Sequence, residues 1–215
     1  MQIYVDTANI DEIKQANDLG ILDGVTTNPT LIAKEGVNYA TRLAEICKVV
    51  SGPVSAEVIA LDFAGMMREG TDHSKIAPQI VVKLPCTLDG LKACKAFTEK
   101  GINTNLTLCF QTLQALMVAK AGAFLVSPFI GRLDDVGEDG MNLIRDIRTV
   151  YDNYGMKTKI LAASVRHSNH LLQCALAGAD VATCPFSVIK GSMSHPLTDI
   201  GLQKFVADYK KAFPG

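Results

Sequence analysis

Eight short runs of β-branched and other apolar residues alternate along this chain with longer stretches of helical periodicity, and no other feature limits the fold as much. The strand candidates are Gln2 to Asp6, Gly24 to Thr27, Val54 to Val58, Ile80 to Leu84, Thr104 to Leu108, Phe124 to Ser127, Lys159 to Ser164 and Asp180 to Cys184. Their nearly continuous apolar character suits strands covered on both sides, as in a parallel sheet. The helices between them have readable ends. Asn9 followed by Glu12 has the form of a capping box, and Gly20 and Gly101 stand where helices close on a left-handed residue. From Met141, the residues Ile144, Ile147, Tyr151 and Tyr154 recur every three or four positions before Gly155, which predicts one apolar stripe on a long amphipathic helix.

Eight βα units can close into a barrel or open into a doubly wound sheet. The open sheet calls for a glycine-rich turn after the first strand, and here that turn reads Asp6-Thr7-Ala8-Asn9. The expected fold class is therefore α/β, a single (β/α)8 TIM barrel. No Pro/Gly/Ser-rich linker divides residues 1–215, so one domain is expected. Beyond the eighth strand a short helix is expected near Pro185. An extra C-terminal helix follows over Thr198 to Phe213, with Phe205, Val206, Tyr209 and Phe213 on one side. It can cap the barrel end or pack on a neighbouring subunit; the subunit contact is the preferred expectation.

Composition excludes several function classes. Twenty-one Lys and Arg against twenty-two Asp and Glu leave a net charge of −1, so no field of one sign attracts nucleic acid or an anionic membrane. No run of 18 residues is free of charges or breaks, and the first residues contain Asp6 where a signal peptide needs an apolar run, so a cytoplasmic protein is expected. The six cysteines form no CxxC pair and read as small hydrophobes with reduced thiols. His167 and His170 share a helical spacing without an acidic or cysteine neighbour in sequence, and are expected as solvated histidines on a helix surface rather than metal ligands.

Reactive groups in such a barrel gather at the C-terminal strand ends, where inward positions share one mouth. Strand four reads Ile80-Val81-Val82-Lys83-Leu84-Pro85, with one lysine inside an apolar run. Lys83 either snorkels outward to water or points inward. In the inward case Val81, Leu84 and neighbouring strands would desolvate it, favouring a neutral amine able to attack a ketone. Glu57 ends strand three and Asp6 ends strand one, while Asn105 and Thr107 share a face of strand five by their two-residue spacing. Such groups supply the proton transfers that imine chemistry needs. Each also has a plain structural reading: Glu57 as a salt bridge to Lys83, Asp6 as a turn or cap residue, and Asn28 as an N-cap ahead of Pro29. Arg132 and Arg166 follow strands six and seven, and their planar, permanently charged forks suit phosphate; solvated loop arginines are the alternative.

Six ordered blocks carry a resemblance over essentially the whole chain: Val5-Asp6-Thr7-Ala8, Gly24-Val25-Thr26-Thr27-Asn28-Pro29, Val54-Ser55-Ala56-Glu57-Val58, Val82-Lys83-Leu84-Pro85, Thr104-Asn105-Leu106-Thr107, and Ser127-Pro128-Phe129-Ile130-Gly131-Arg132-Leu133-Asp134-Asp135. In these the chain resembles the short bacterial and archaeal transaldolases. The resemblance implies a Schiff base on Lys83 with a ketose phosphate, without metal or organic cofactor. It implies Asp6 as acceptor of the donor's C4 hydroxyl proton, and Glu57 with Thr107 as holders of a shuttling water. Asn28 and Asn105 would bind substrate hydroxyls, Thr26 and Ser127 would line the site, and Arg132, Ser164 and Arg166 would bind phosphate. It also implies sugar-phosphate substrates and a homo-oligomer, a pentamer or a decamer of stacked pentamers.

Fructose 6-phosphate aldolases of the same family resemble the chain except for glutamine at the Glu57 position and tyrosine at the Phe129 position. A phenylalanine supplies no proton to an enamine, so both positions point to transfer. The expected reaction carries dihydroxyacetone from sedoheptulose 7-phosphate to glyceraldehyde 3-phosphate, in the non-oxidative pentose phosphate pathway. The alternatives are aldol cleavage of fructose 6-phosphate and a catalytically silent barrel that binds sugar phosphates.

Overall fold

The computed structural model describes residues 1–213. Its strands are β1 (Gln2–Asp6), β2 (Gly24–Thr26), β3 (Val54–Glu57), β4 (Ile80–Pro85), β5 (Thr104–Cys109), β6 (Leu125–Pro128), β7 (Lys159–Ala162) and β8 (Val181–Cys184). Each pairs in parallel with the next, and β8 pairs with β1 to close the barrel. The helices are α1 (Ile10–Asp18), α2 (Pro29–Lys34), α3 (Tyr39–Val49), α4 (Phe63–Ser74), α5 (Leu88–Glu99), α6 (Thr112–Ala121), α7 (Ile130–Asp134), α8 (Gly140–Tyr154), α9 (Ser168–Leu176), α10 (Phe186–Ser192) and α11 (Pro196–Ala212). Among the described residues no helix is long and apolar enough to cross a membrane.

Alternation along the strands sorts side chains into two compartments. Val5, Val25, Ala56, Val82, Leu84, Leu106, Val126 and Ala182 face outward into the layer between strands and helices. Tyr4, Val81, Leu125, Leu161 and Val181 form a separate apolar cluster within the barrel. Leu84 therefore faces the helices and does not desolvate Lys83 from the inside, contrary to expectation; a period of two sends Val81 and Lys83 inward and Leu84 away. The Tyr4 ring takes the space beside Gly24, where a Cβ would stand 2.7 Å from Tyr4 Cζ.

The helix ends follow the sequence with local differences. Asn9 accepts from the backbone of Asp11 and Glu12, but Glu12 turns to the hydroxyl of Thr7 (2.6 Å) instead of closing the capping box. Gly20 and Gly101 both have φ of +71° beyond the ends of α1 and α5. On α8, Ile144, Ile147 and Tyr151 are buried as expected, while Tyr154 in the last turn is exposed. The α11 helix buries none of its described residues.

Candidate active site

The inward positions near the C-terminal strand ends are polar, directly above the apolar cluster. Lys83 is 5% exposed, and its Nζ lies 2.9 Å from Glu57 Oε2 and 3.0 Å from the carbonyl oxygen of Thr27. The snorkelling alternative is thereby excluded, and the salt bridge foreseen for Glu57 is present. Glu57 is aimed by its own backbone: the Tyr39 hydroxyl accepts from Glu57 N (2.9 Å) and donates to Glu57 O (2.8 Å). Tyr39 in turn stacks on His73 with ring centroids 5.1 Å apart. Lys83 thus has a carboxylate within direct proton-transfer reach, the arrangement that attack by a neutral amine requires.

Asp6 sits on the other side of Lys83. Burial pushes its carboxyl above the usual carboxylate range, against the opposing pull of the Thr26 hydroxyl and the Lys83 charge. Thr26 Oγ1 donates to Asp6 Oδ1 at 2.7 Å and also contacts Thr183 Oγ1 at 2.7 Å. With its single proton committed to Asp6, Thr26 must accept from Thr183. Thr183 escaped the sequence reading, although it stands two residues after the inward Val181 at the end of β8, and the strand rule applied to Lys83 would have found it.

Asn105 is buried and held on both sides, its Nδ2 donating to Ser55 Oγ (3.1 Å) and its Oδ1 accepting from Ser127 Oγ (2.7 Å). Thr107 Oγ1 is buried with no hydrogen-bond partner among the described residues, which leaves it free for an incoming polar group. Asn28 caps α2 through Oδ1 to Leu31 N (2.9 Å) and also lines the cavity, so its capping and contact readings coexist.

A cavity of about 220 Å3 joins Asp6, Thr26, Asn28, Lys83, Ser127, Phe129, Arg132, Ser164, Arg166 and Thr183, with Leu161 and Ala163 on its wall. Glu57, Asn105 and Thr107 are not among its lining residues. A larger apolar groove of about 410 Å3 between α5 and α6 has no carboxylate, histidine, lysine or arginine in its lining. At its rim the Arg132 guanidinium lies 5.1 Å above the Phe129 ring, whose other neighbour is Phe110, edge-on at 5.8 Å. Arg166 pairs with Asp135 at 2.6 Å. Ser164 adopts φ of +60°, a left-handed backbone that a residue with a Cβ rarely holds, and the strain falls beside these cations. Among the described residues no group of three or more His, Cys, Asp or Glu is placed to hold a metal ion.

His167 is exposed at the start of α9, as expected, while His170 departs from expectation. His170 is buried and bonded to Asp134 at 3.0 Å, while His167 caps α9 through Nδ1 to His170 N (3.1 Å). The acidic partner comes from α7 and is remote in sequence, so helical spacing alone could not disclose it.

Fold and site together define a closed parallel barrel with an ion-paired lysine at its mouth and arginines at the rim, an arrangement suited to imine chemistry on an anionic carbonyl compound. A family model described as "Transaldolase/Fructose-6-phosphate aldolase" matches residues 3–213. The chain is 59% identical over 215 residues to a "Probable transaldolase" of Bacteroides fragilis (strain YCH46), covering 98% of this chain and 99% of that protein. It is 60% identical over 212 residues to a "Probable transaldolase" of Hyphomonas neptunium, covering 99% and 98%. A "Probable transaldolase 1" of Bacillus cereus is 57% identical over 211 residues, with 98% of each chain covered. The chain belongs to the transaldolase/fructose-6-phosphate aldolase family.

Proposed function

We propose that the protein transfers a dihydroxyacetone unit between sugar phosphates, and that within its family it is a transaldolase. The observation that carries the reading is the buried Lys83 Nζ at 2.9 Å from Glu57, opening on a cavity that also holds Asp6 and two arginines. Glu57 takes a proton from Lys83, and the amine adds to the ketose carbonyl. A water held by Glu57 and Thr107 relays protons as the carbinolamine loses hydroxide as water and becomes an iminium. Asp6 accepts the C4 hydroxyl proton while the C3–C4 electron pair flows into the iminium, which leaves an enamine on Lys83 and frees the first aldehyde. The raised proton affinity of buried Asp6 makes its carboxylate a stronger base for this step.

Asn28, Asn105, Thr26 and Ser127 hold substrate hydroxyls, and Arg132, Ser164 and Arg166 take the phosphate. Phe129 favours transfer over release. Its ring occupies the cavity wall without a hydroxyl to protonate the enamine, which persists until an acceptor aldehyde arrives. The substrates in this reading are sedoheptulose 7-phosphate and glyceraldehyde 3-phosphate, exchanged for erythrose 4-phosphate and fructose 6-phosphate in the cytoplasm. The exposed apolar side of α11, with Phe205 and Tyr209 outermost, serves subunit contact in a homo-oligomer.

The test is product analysis of fructose 6-phosphate with and without erythrose 4-phosphate. Sedoheptulose 7-phosphate formed only with acceptor supports transfer; dihydroxyacetone released without acceptor makes the protein an aldolase. Lys83→Met must abolish the borohydride-trapped mass adduct, and an undiminished adduct removes Lys83 from the mechanism.

A further inference from the structure

The two rim arginines reach the cavity from separate segments. Arg132 rides on α7, and Arg166 lies in the loop between β7 and α9. Both line one cavity, and like charges repel, so a dianion site made from them needs its segments tied together. Two ties are backbone bonds: Ile130 N donates to Ala163 O (3.0 Å) and Gly131 N to Ser164 O (3.1 Å). The contact is close enough that a Cβ at residue 131 would stand 2.2 Å from Ser164 O and 2.8 Å from Arg166 Nε.

The exposed Arg166–Asp135 pair (2.6 Å) is a third tie, and the fourth is a buried side chain. Arg166 N donates to His170 Nδ1 (3.3 Å), and His170 Nε2 lies 3.0 Å from Asp134 Oδ2. The partners determine the tautomer: Nδ1 accepts and carries no proton, while Nε2 carries the proton and donates to the carboxylate. Only the neutral ring can do both, because an imidazolium has no lone pair left for Arg166 N. Burial, then the neighbouring His167 and Arg166, push the His170 pKa down, against the opposing pull of Asp134. One buried imidazole thus spans from the last residue of α7 to the backbone of Arg166.

We propose that His170, with Asp134, is a positioning pair for the anion-binding rim, setting the separation of Arg132 and Arg166 without touching substrate. The proposal rests on the assignment of those arginines to phosphate. Removing the brace loosens the grip on the phosphate and leaves the amine chemistry of Lys83 intact. His170→Ala should raise both the KM for fructose 6-phosphate and the inhibition constant for inorganic phosphate by about tenfold. Borohydride trapping of free dihydroxyacetone, which has no phosphate, should stay within about twofold of the unaltered protein. His170→Gln, whose amide can accept and donate at similar positions, should recover most of the loss. Asp134→Ala cuts the same tie from α7 and serves as the test where His170→Ala does not fold.

Phosphate inhibition unchanged in both His170→Ala and Asp134→Ala overturns the brace, as does a matched loss of dihydroxyacetone trapping, which marks general damage. Arg166→Gln separates the two readings. If it raises the phosphate inhibition constant while the brace variants do not, the brace alone fails; if it has no effect, the phosphate assignment fails with it.

Discussion

Cutting the Lys83–Glu57 pair should destabilise the protein by an amount that depends on pH. In Lys83→Met the Glu57 carboxylate loses its ion-pair partner while its side chain is 16% exposed. Breaking a buried pair from one side costs about 3–5 kcal/mol, and partial exposure favours the lower end. Protonation sets a ceiling. Protonating a glutamate in the unfolded chain, where the reference value is about 4.3, costs roughly 3.7 kcal/mol at pH 7 and about 1 kcal/mol at pH 5. The expected loss is therefore about 3 kcal/mol at pH 7, shrinking to about 1 kcal/mol at pH 5, where protonating the stranded carboxylate is cheaper.

Adding Glu57→Gln to Lys83→Met removes the stranded charge and should restore all but about 1 kcal/mol at pH 7, the residual cost of an imperfectly paired amide. Urea unfolding of the parent, both single variants and the double variant at the two pH values, at one protein concentration, measures the cycle. An equal loss from Lys83→Met at both pH values, or a double variant no more stable than the single, would refute the argument that removing Lys83 strands an unpaired carboxylate.

Asp6→Asn should trade activity for stability. The native carboxyl binds its proton more tightly than the unfolded one, so its ionisation destabilises the fold above the raised value, an effect that disappears as pH falls through 3.8. The variant should gain a few degrees in Tm at pH 7, the scale of about 1 kcal/mol for a chain of this size. It should gain nothing near pH 3.5 and lose transfer by about 100-fold or more; a lower Tm at pH 7 counts against the burial argument. Phe129→Tyr should raise dihydroxyacetone release relative to transfer by at least about tenfold, and an unchanged ratio removes Phe129 as the discriminator. Phe205 is 70% exposed, so Phe205→Asp should leave the monomer's stability nearly unaltered while lowering the assembled mass in light scattering. An unchanged mass excludes that face of α11 from assembly.

The barrel was legible because βα units repeat a strong signal: each strand lies within two residues of its expected bounds at either end, from Gln2–Asp6 to Val181–Cys184. Lys83, Glu57 and Asp6 were visible for the same reason, as polar breaks in apolar runs. What escaped is tertiary. Tyr39 aims Glu57 from a helix that precedes β3, Asp134 meets His170 across 36 positions, and the backbone of Leu108 and Ser164 turns left-handed without any glycine to announce it. Thr183 is different. Its alternation was readable, and it went unnoticed because a threonine in a strand is ordinary.

The Tyr4 ring, with Val81, Leu125, Leu161 and Val181 around it, plugs the barrel below Lys83. A transferase on this plan has one doorway. The aldehyde cut from the donor must depart through the opening by which the acceptor comes in, and under the proposed assignment both present their phosphates to the same pair of arginines. Turnover is then a queue: the two aldehydes exclude each other, initial rates against each substrate give parallel reciprocal plots, and excess acceptor slows the cycle by arriving before the donor has been loaded.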